Sequence, residues 1–426
     1  MEKFIVNGGK TLSGSIRPSG NKNEALPVLA ALLLTDQPVT LHNLPHIGDI
    51  IKMKEILEGL GVAITFKGDH SYQFDASNLI HSQPEPTLSK SIRGSFLLAA
   101  PLAIRMGTST VYEPGGDAIG KRRLDTHVHA LESLGLKFSL DQGCYQVRQD
   151  GLTGAKLLLD EASVMATEHL LMAAVLAKGT TEVYHAACEP HVQGLCEMLN
   201  LMGAKISGVG SNLLVIEGVD KLQGCEYEIQ PDHTEVGSLI GLAVVTKSEL
   251  TIEKAGWKHL GQIQTAFKRL GVELTKVGED DLLVKAEQSL VIKNDMDDSI
   301  PKIDDAPWPG FPADLTSIMT VVATQCTGTL LIHEKLFESR LFWVDKLIRM
   351  GAKIVLCDPH RAVVVGPANL RAMTLTSPDI RAGMALLLAA MCAEGTSEIH
   401  NINQIDRGYA SIDQRLNQLG ADIQRV

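Results

Sequence analysis

An α/β fold in two similar domains, each of three repeated units, is predicted by three recurrences in this sequence. The first is a short phrase: Leu or Met, Gly, a small or aliphatic residue, any residue, then an apolar one. It occurs six times, as Leu60-Gly61-Val62-Ala63-Ile64, Leu134-Gly135-Leu136-Lys137-Phe138, Met202-Gly203-Ala204-Lys205-Ile206, Leu270-Gly271-Val272-Glu273-Leu274, Met350-Gly351-Ala352-Lys353-Ile354 and Leu419-Gly420-Ala421-Asp422-Ile423. Glycine fits a helix C-terminus that closes in the left-handed conformation, and the alternation after it starts a strand. The second recurrence is a pair of helix types, one amphipathic and one apolar all round. The third is a strand, a turn and a second strand that ends in Pro or Asp.

Amphipathic helices are predicted just before each phrase, from Ile50 to Leu60, Leu124 to Leu134, Val192 to Met202, Ile263 to Leu270, Leu341 to Met350 and Ile412 to Leu419. Apolar helices are predicted near Ala25–Leu34, Ser95–Arg105, Thr167–Lys178, Val236–Val245, Leu315–Gln325 and Arg381–Ala393. A helix apolar on every face is buried on every face, so each unit puts one helix inside and one at the surface. Four of the apolar helices are followed by Gly-Thr turns, at Gly107, Gly179, Gly328 and Gly395. The strand-turn-strand pieces run from Phe4 to Ser19, Tyr145 to Asp160, Leu214 to Asp232 and Ala362 to Asp379. Units of about 70 residues exceed the ~20–50 of solenoid repeats. They divide as 22–230, carrying a glycine-rich loop at 113–123, and 1–21 with 231–426.

The bulk properties exclude several classes. A chain of 426 residues with 45% hydrophobic and 21% charged residues builds ordinary globular cores. A net charge of −11 argues against nucleic acid as a partner. No apolar run reaches the ~20 residues of a membrane span, and Met1-Glu2-Lys3-Phe4 reads as the approach to a strand and not as a signal peptide. Seven scattered cysteines without a C-x-x-C pair point to reduced thiols and a cytoplasmic location. His127-Val128-His129 lacks a third ligand, so no metal is expected.

The repeat is stretched in two places. Its glycines stand at 61, 135, 203, 271, 351 and 420, and the widest gaps are 74 and 80 residues. The first holds Glu113-Pro114-Gly115-Gly116-Asp117-Ala118-Ile119-Gly120-Lys121-Arg122-Arg123, glycines beside a cationic cluster that suits an anionic ligand. The second holds Asp304-Asp305-Ala306-Pro307-Trp308-Pro309-Gly310-Phe311-Pro312-Ala313-Asp314, a rigid loop that ends on an acid. Asp314, like Asp232 and Asp379, precedes an apolar helix and reads equally as an N-cap. Lys22, Arg93, Arg340, Arg381 and Arg407 recur near unit starts, where helix N-termini also favour anions.

Four of these segments together resemble a known family. Ser19-Gly20-Asn21-Lys22-Asn23-Glu24-Ala25-Leu26, the Pro114 to Arg122 loop, Pro309-Gly310-Phe311-Pro312-Ala313-Asp314 and Ile405-Asp406-Arg407-Gly408-Tyr409 look like the UDP-N-acetylglucosamine 1-carboxyvinyltransferases, which belong with the enolpyruvyl transferases. The likeness covers the whole chain. It implies two inside-out α/β barrels with substrates in the cleft between them. It also implies transfer of enolpyruvyl from phosphoenolpyruvate to the 3-hydroxyl of UDP-N-acetylglucosamine, the first committed step of peptidoglycan synthesis. No cofactor is implied, and the expected assembly is a monomer or weak homo-oligomer. By the resemblance Asp314 is the general base and Asp117 the general acid, acting with Lys22 and Arg407. Lys22, Arg122 and Arg407 hold phosphoenolpyruvate, with Arg93 and Arg381 nearby. Asn23, Arg123, Leu124, Asp125, Ser163, Val164, Asp232, Leu336 and Asp379 complete the implied substrate-binding set.

Four positions depart from the family pattern. Asp117 stands where Cys is usual, and a carboxyl donates a proton but forms no thiol adduct, so insensitivity to fosfomycin is expected. Arg123 replaces a common Pro, Met165 a common Gly and His233 a common Arg, all toward the uridine diphosphate end. These leave open a variant nucleotide-sugar acceptor. Two further readings stay open: shikimate 3-phosphate as the acceptor, and a non-catalytic paralogue that binds a nucleotide sugar.

Overall fold

The computed structural model describes residues 2–116, 119–120 and 122–426. They divide into two compact units, Gly20–Gly116 with Arg122–Gln230, and residues 2–19, 119–120 and 231–426. The short segment 119–120 groups with the second of these, not with the loop's own flanks. There the Ser339 amide donates to the Ile119 carbonyl at 3.2 Å, and Gly120 approaches the Glu338 backbone so closely that a Cβ would lie 3.2 Å from its nitrogen.

All six phrase glycines have positive φ, from 77° at Gly271 to 108° at Gly135. At five of them the glycine and the residue after it reach back to the last turn, as in Gly61 to the Glu58 carbonyl and Val62 to the Leu57 carbonyl. This closure satisfies the orphan carbonyls of an amphipathic helix and turns the chain into the next strand. The outer helices are Gly48–Leu60, Asp125–Glu132, Pro190–Leu201, Gly261–Arg269, Val344–Arg349 and Ile412–Asn417. Residues 341–343 form a turn, so the fifth helix begins later than its periodicity predicts.

Among the described residues the strands form five four-stranded sheets and one three-stranded sheet. In one, Thr374–Thr376 lies parallel to Thr396–His400 across the buried helix Ile380–Cys392, and Lys3–Asn7 and Ile423–Arg425 complete it antiparallel. The strand-turn-strand pieces are not hairpins. Lys3–Asn7 and Ser13–Ile16 lie in different sheets, as do Arg361–Gly366 and Thr374–Thr376. Each piece therefore hands the chain from one sheet to the next. At the crossings between units the entering strands are exchanged. Ser13–Ile16 pairs with Glu249–Ile252 in one unit, and Glu226–Glu228 pairs with Val39–His42 in the other. The three-stranded sheet (Thr108–Tyr112, Cys144–Gln149, Leu136–Asp141) has no such strand; the Thr110 amide donates to the Ser82 carbonyl instead.

Three apolar helices fill the unit that contains both termini: His233–Val245, Thr316–Ala323 and Ile380–Cys392. Every residue of the first two is buried. Gly237 and Gly241 let them pack closely, since a Cβ there would come within 2.4 Å of Leu315 and 2.5 Å of Ile318. The other unit has Lys22–Ala31, Ala99–Met106 and Val164–Ala174. The helix expected from Ser95 is instead a 3-10 segment, Arg93–Leu98, followed by an α-helix from Ala99. Pro101 explains the break: without an N–H it is accommodated in a first turn, and the α-helix starts two residues before it. None of the helices is long and apolar enough to cross a membrane.

Candidate active site

Three buried helices begin near an aspartate in the unit that holds both termini, and the three aspartates behave differently. Asp232 caps His233–Val245: its Oδ1 accepts from the Thr234 and Glu235 amides. Asp379 caps Ile380–Cys392 the same way, through the Arg381 and Ala382 amides at 2.8 and 2.9 Å. Asp314 is not a cap. A 3-10 turn, Ala313–Leu315, precedes Thr316–Ala323, its N-cap is Pro312, and Asp314 lies inside it. Its carboxylate instead accepts from Arg340 Nη1 at 2.9 Å and from Arg381 Nε at 2.9 Å. Both arginines are buried, and the Asp314 side chain is 25% exposed.

Arg381 joins this pair to the next segment. Its Nη1 donates to the Tyr409 hydroxyl at 3.1 Å, which lies 2.9 Å from Ser238 Oγ. Arg381 is held more firmly protonated than usual by Asp314, Tyr409 and Asp232 despite its burial. Arg340 is likewise held charged against its burial, chiefly by Asp314. Arg407, half-buried, donates to Gln404 Oε1 at 2.8 Å just beyond the short helix Asn403–Asp406. The Leu336 amide is held by Asp305 Oδ2 at 3.1 Å. His233 is buried with its ring 6.0 Å from that of Trp308, and burial lowers its pKa, so it is neutral near pH 7.

In the other unit Asn21 caps Lys22–Ala31, so Lys22 is the first residue of a buried helix. Its Nζ lies 2.8 Å from Asp49 Oδ2, with both side chains largely buried. Asn23 follows on the first turn, and its amide donates to Asn21 Oδ1 at 2.9 Å. Arg93 opens the 3-10 segment Arg93–Leu98 and donates to the Arg122 and Arg123 carbonyls at 3.0 and 3.3 Å. Burial and the neighbouring Arg122 cation lower Arg93 to about 10. A Cβ on Gly116 would lie 2.7 Å from Arg122 Nη2, so the glycine admits that guanidinium beside Arg93. Arg123 Nε pairs with Asp125 at 2.8 Å, at the exposed end of the helix that Leu124 precedes. Ser163 and Val164 start the buried helix Val164–Ala174, and Met165 follows.

The structure thus joins Arg93 to Arg122 and Arg123, and Asp314 to Arg381 and Arg340. Asp232 and Asp379 do structural work as caps at the same helix ends. Asp117 lies outside the described residues. Two partners of site residues carry too little signal in the sequence to be expected there. Arg340 reads only as a basic residue near a unit start, and it lies in a turn before a short helix. Asp49 carries no signal, being one acid in the first turn of an amphipathic helix. A cavity of about 310 Å³ opens at the opposite, C-terminal ends of the buried helices, lined by Lys10, Lys247, Gln325, Cys392 and Glu394 among others. It holds none of the expected site residues.

Comparison with known proteins gives this arrangement a family. The family model described as EPSP synthase (3-phosphoshikimate 1-carboxyvinyltransferase) matches residues 6–416. The UDP-N-acetylglucosamine 1-carboxyvinyltransferase of Bradyrhizobium diazoefficiens is 54% identical over 424 residues, covering 100% of this chain and 98% of that one. That of Bacteroides thetaiotaomicron is 52% identical over 435 residues, covering both chains fully. Two solved structures share the fold. The enolpyruvyl transferase NikO from Streptomyces tendae has a TM-score of 0.89 at 23% identity, over 100% of this chain and 99% of that one. EPSP synthase from Acinetobacter baumannii has 0.77 at 16% identity, over the full length of both. The chain belongs to the enolpyruvyl transferases, in the family of UDP-N-acetylglucosamine 1-carboxyvinyltransferases.

Proposed function

We infer that this chain transfers the enolpyruvyl group of phosphoenolpyruvate to the 3-hydroxyl of UDP-N-acetylglucosamine, releasing phosphate, as the first committed step of peptidoglycan synthesis. The carrying observation is full-length identity of 52–54% to UDP-N-acetylglucosamine 1-carboxyvinyltransferases. The expected finer architecture, an inside-out barrel of three repeats in each unit, is supported by helices buried on every face behind separate small sheets.

The proposed chemistry assigns each step to a residue of the expected set. Asp314 takes the proton of the sugar 3-hydroxyl while that oxygen bonds to C2 of phosphoenolpyruvate. The C2–C3 π pair takes a proton from Asp117, giving a methyl group and a tetrahedral adduct. The C2–O bond to phosphate then breaks, phosphate leaves with the electron pair, and Asp117, left as a carboxylate, takes back a methyl proton as the double bond re-forms. Lys22, Arg122 and Arg407 neutralise the phosphate and carboxylate, with Arg93 and Arg381 adding positive charge. Asp314 is supported as a base because its carboxylate is not spent on helix capping. Asn23, Ser163, Val164, Asp232 and Leu336 are assigned to the nucleotide sugar, beside Arg123, Leu124, Asp125 and Asp379. All seven cysteines are free, which fits a reducing compartment, and we place the enzyme in the cytoplasm as a monomer or weak homo-oligomer.

A variant nucleotide sugar is the second reading, favoured by one observation. His233 is buried and neutral where the family pattern has a cationic Arg, so the charge at that position is lost. Phosphate release from phosphoenolpyruvate, measured with UDP-N-acetylglucosamine and separately with shikimate 3-phosphate, tests both readings. Release with the nucleotide sugar alone is the expected result. Release only with shikimate 3-phosphate, or with neither, refutes the first reading.

A further inference from the structure

Arg407 follows a helix too short to place itself. Asn403–Asp406 has only 4 residues, and a single helical turn does not hold in water without tertiary anchors. The Arg407 Nη1 donates to Gln404 Oε1 at 2.8 Å on that same turn, so the guanidinium points where the turn points. Ile402 and Ile405 anchor the apolar side in the core. The polar end is Asp406, and there a second arginine takes both carboxylate oxygens. Arg425 Nη1 donates to Asp406 Oδ2 at 2.9 Å, and its Nη2 to Oδ1 at 2.7 Å.

The same guanidinium reaches past the Arg407 segment. Its Nη2 lies 3.2 Å from Asp413 Oδ1 and its Nε 3.4 Å from Asp413 Oδ2. Asp413 is buried at the start of the helix Ile412–Asn417. One side chain thus closes both ends of the segment 407–412, which carries Arg407 and the Tyr409 that meets Arg381. Inside it Ser411 has a φ of 41°, a left-handed conformation that a non-glycine residue keeps only when its surroundings hold it. Arg425 is itself fixed. Its strand, Ile423–Arg425, pairs with Lys3–Asn7, and its guanidinium lies 5.0 Å from the Phe4 ring. Glu2 adds a third carboxylate at 3.0 Å. An isolated exposed ion pair contributes little, but Arg425 and Asp406 are 28% and 30% exposed and form a two-pronged contact within a network.

We propose that Arg425 is a positioning residue for Arg407: by gripping Asp406 and Asp413 it fixes the segment 407–412, and so sets where the Arg407 guanidinium meets phosphoenolpyruvate. This rests on the reading that Arg407 holds phosphoenolpyruvate. Steady-state phosphate release tests it, with each substrate varied in turn. Arg425→Gln is expected to lower kcat/KM for phosphoenolpyruvate about tenfold, while KM for UDP-N-acetylglucosamine stays within about twofold. Arg425→Lys should recover only part, because an ammonium cannot present the fork that spans two carboxylates. Asp406→Asn breaks the same contact from the other side, so the double variant should be no worse than Arg425→Gln alone. Lys3→Gln removes a neighbouring pair on the same sheet, with Glu398 at 2.8 Å, and should leave both substrates' constants unchanged. A second readout needs no substrate: trypsin should cut the Arg407–Gly408 bond about tenfold faster in Arg425→Gln than in wild type, because local opening exposes it. Equal losses for both substrates, additive effects in the double variant, or an unchanged rate of that cut overturn the inference. A wild type that releases no phosphate, with the bond still cut faster in Arg425→Gln, overturns the functional reading and not the hold of Arg425 on the segment.

Discussion

Replacing Asp314 by Asn separates a catalytic carboxylate from a structural one. Asn has the same shape but cannot take the sugar proton, and it offers one acceptor oxygen to two guanidiniums now held at 2.9 Å each. Loss of a positioned general base costs ~10²–10⁴ in rate, about 2.7–5.4 kcal/mol of barrier. The comparison is Glu85→Ala, which deletes an N-cap accepting the Leu88 amide at 2.6 Å. That loss lowers stability modestly and is expected to lower kcat less than tenfold. The assay is steady-state phosphate release with UDP-N-acetylglucosamine, beside urea midpoints followed by circular dichroism. Asp314→Asn should lose kcat by at least a hundredfold while still binding UDP-N-acetylglucosamine. If it keeps more than a tenth of wild-type kcat, Asp314 is not the base, and its arginine pairs serve only to hold the helix start.

Wild type should resist time-dependent inactivation by fosfomycin, and Asp117→Cys should acquire it while keeping activity; an active, insensitive Asp117→Asn would refute the acid role. Gly203 has φ of 99° with nothing near its Cβ position, whereas a Cβ on Gly135 would lie 2.6 Å from the Gly151 carbonyl oxygen. Gly203→Ala should therefore lose only the ~1–2 kcal/mol of left-handed strain, Gly135→Ala distinctly more, and equal urea midpoints would contradict this. His169 is lowered to about 3 by burial and lies 3.2 Å from His127. A depressed histidine stabilises the fold above its unfolded pKa of ~6.5 and loses this as pH falls, by about 2 kcal/mol at pH 5. The urea midpoint should thus drop more between pH 7 and 5 in wild type than in His169→Asn.

Much of the fold was legible because it rests on local chemistry repeated six times. A glycine at a left-handed helix end needs no tertiary context, and neither does an all-apolar helix that must be buried. What escaped the sequence depends on long-range partners. The division at 22 and 231 already separated Ser13–Ile16 from Glu226–Glu228, but nothing local says that they pair with Glu249–Ile252 and Val39–His42, because strand pairing is fixed by the sheet and not by the strand. The same limit applied to the site. Lys22, Arg340 and Arg381 stood out at helix starts, but Asp49 matters through an ion pair 27 positions away, and nothing local pairs Arg340 with Asp314. The helix expected from Ser95 failed for a local reason that was visible, Pro101, whose effect depends on which turn it occupies.

The repeat also explains why Asp314, among three comparable acids, is the one that does not cap a helix. Three copies of a unit bring three helix N-termini to one end of a unit, and an acid at each start is the default way to satisfy the first amides. Asp232 and Asp379 obey that default. In the middle copy the repeat is stretched to 80 residues by the proline-rich loop. Pro312 takes the cap position of a 3-10 turn, which places Asp314 inside the turn rather than ahead of it. Its carboxylate leaves the amides and meets Arg381, supplied by the start of the next copy's helix, and Arg340, supplied by its own copy after the following strand. A regular third unit would have produced a third cap. The insertion turns a structural acid into one held by two cations and partly open to solvent, the condition under which a carboxylate can meet a substrate hydroxyl.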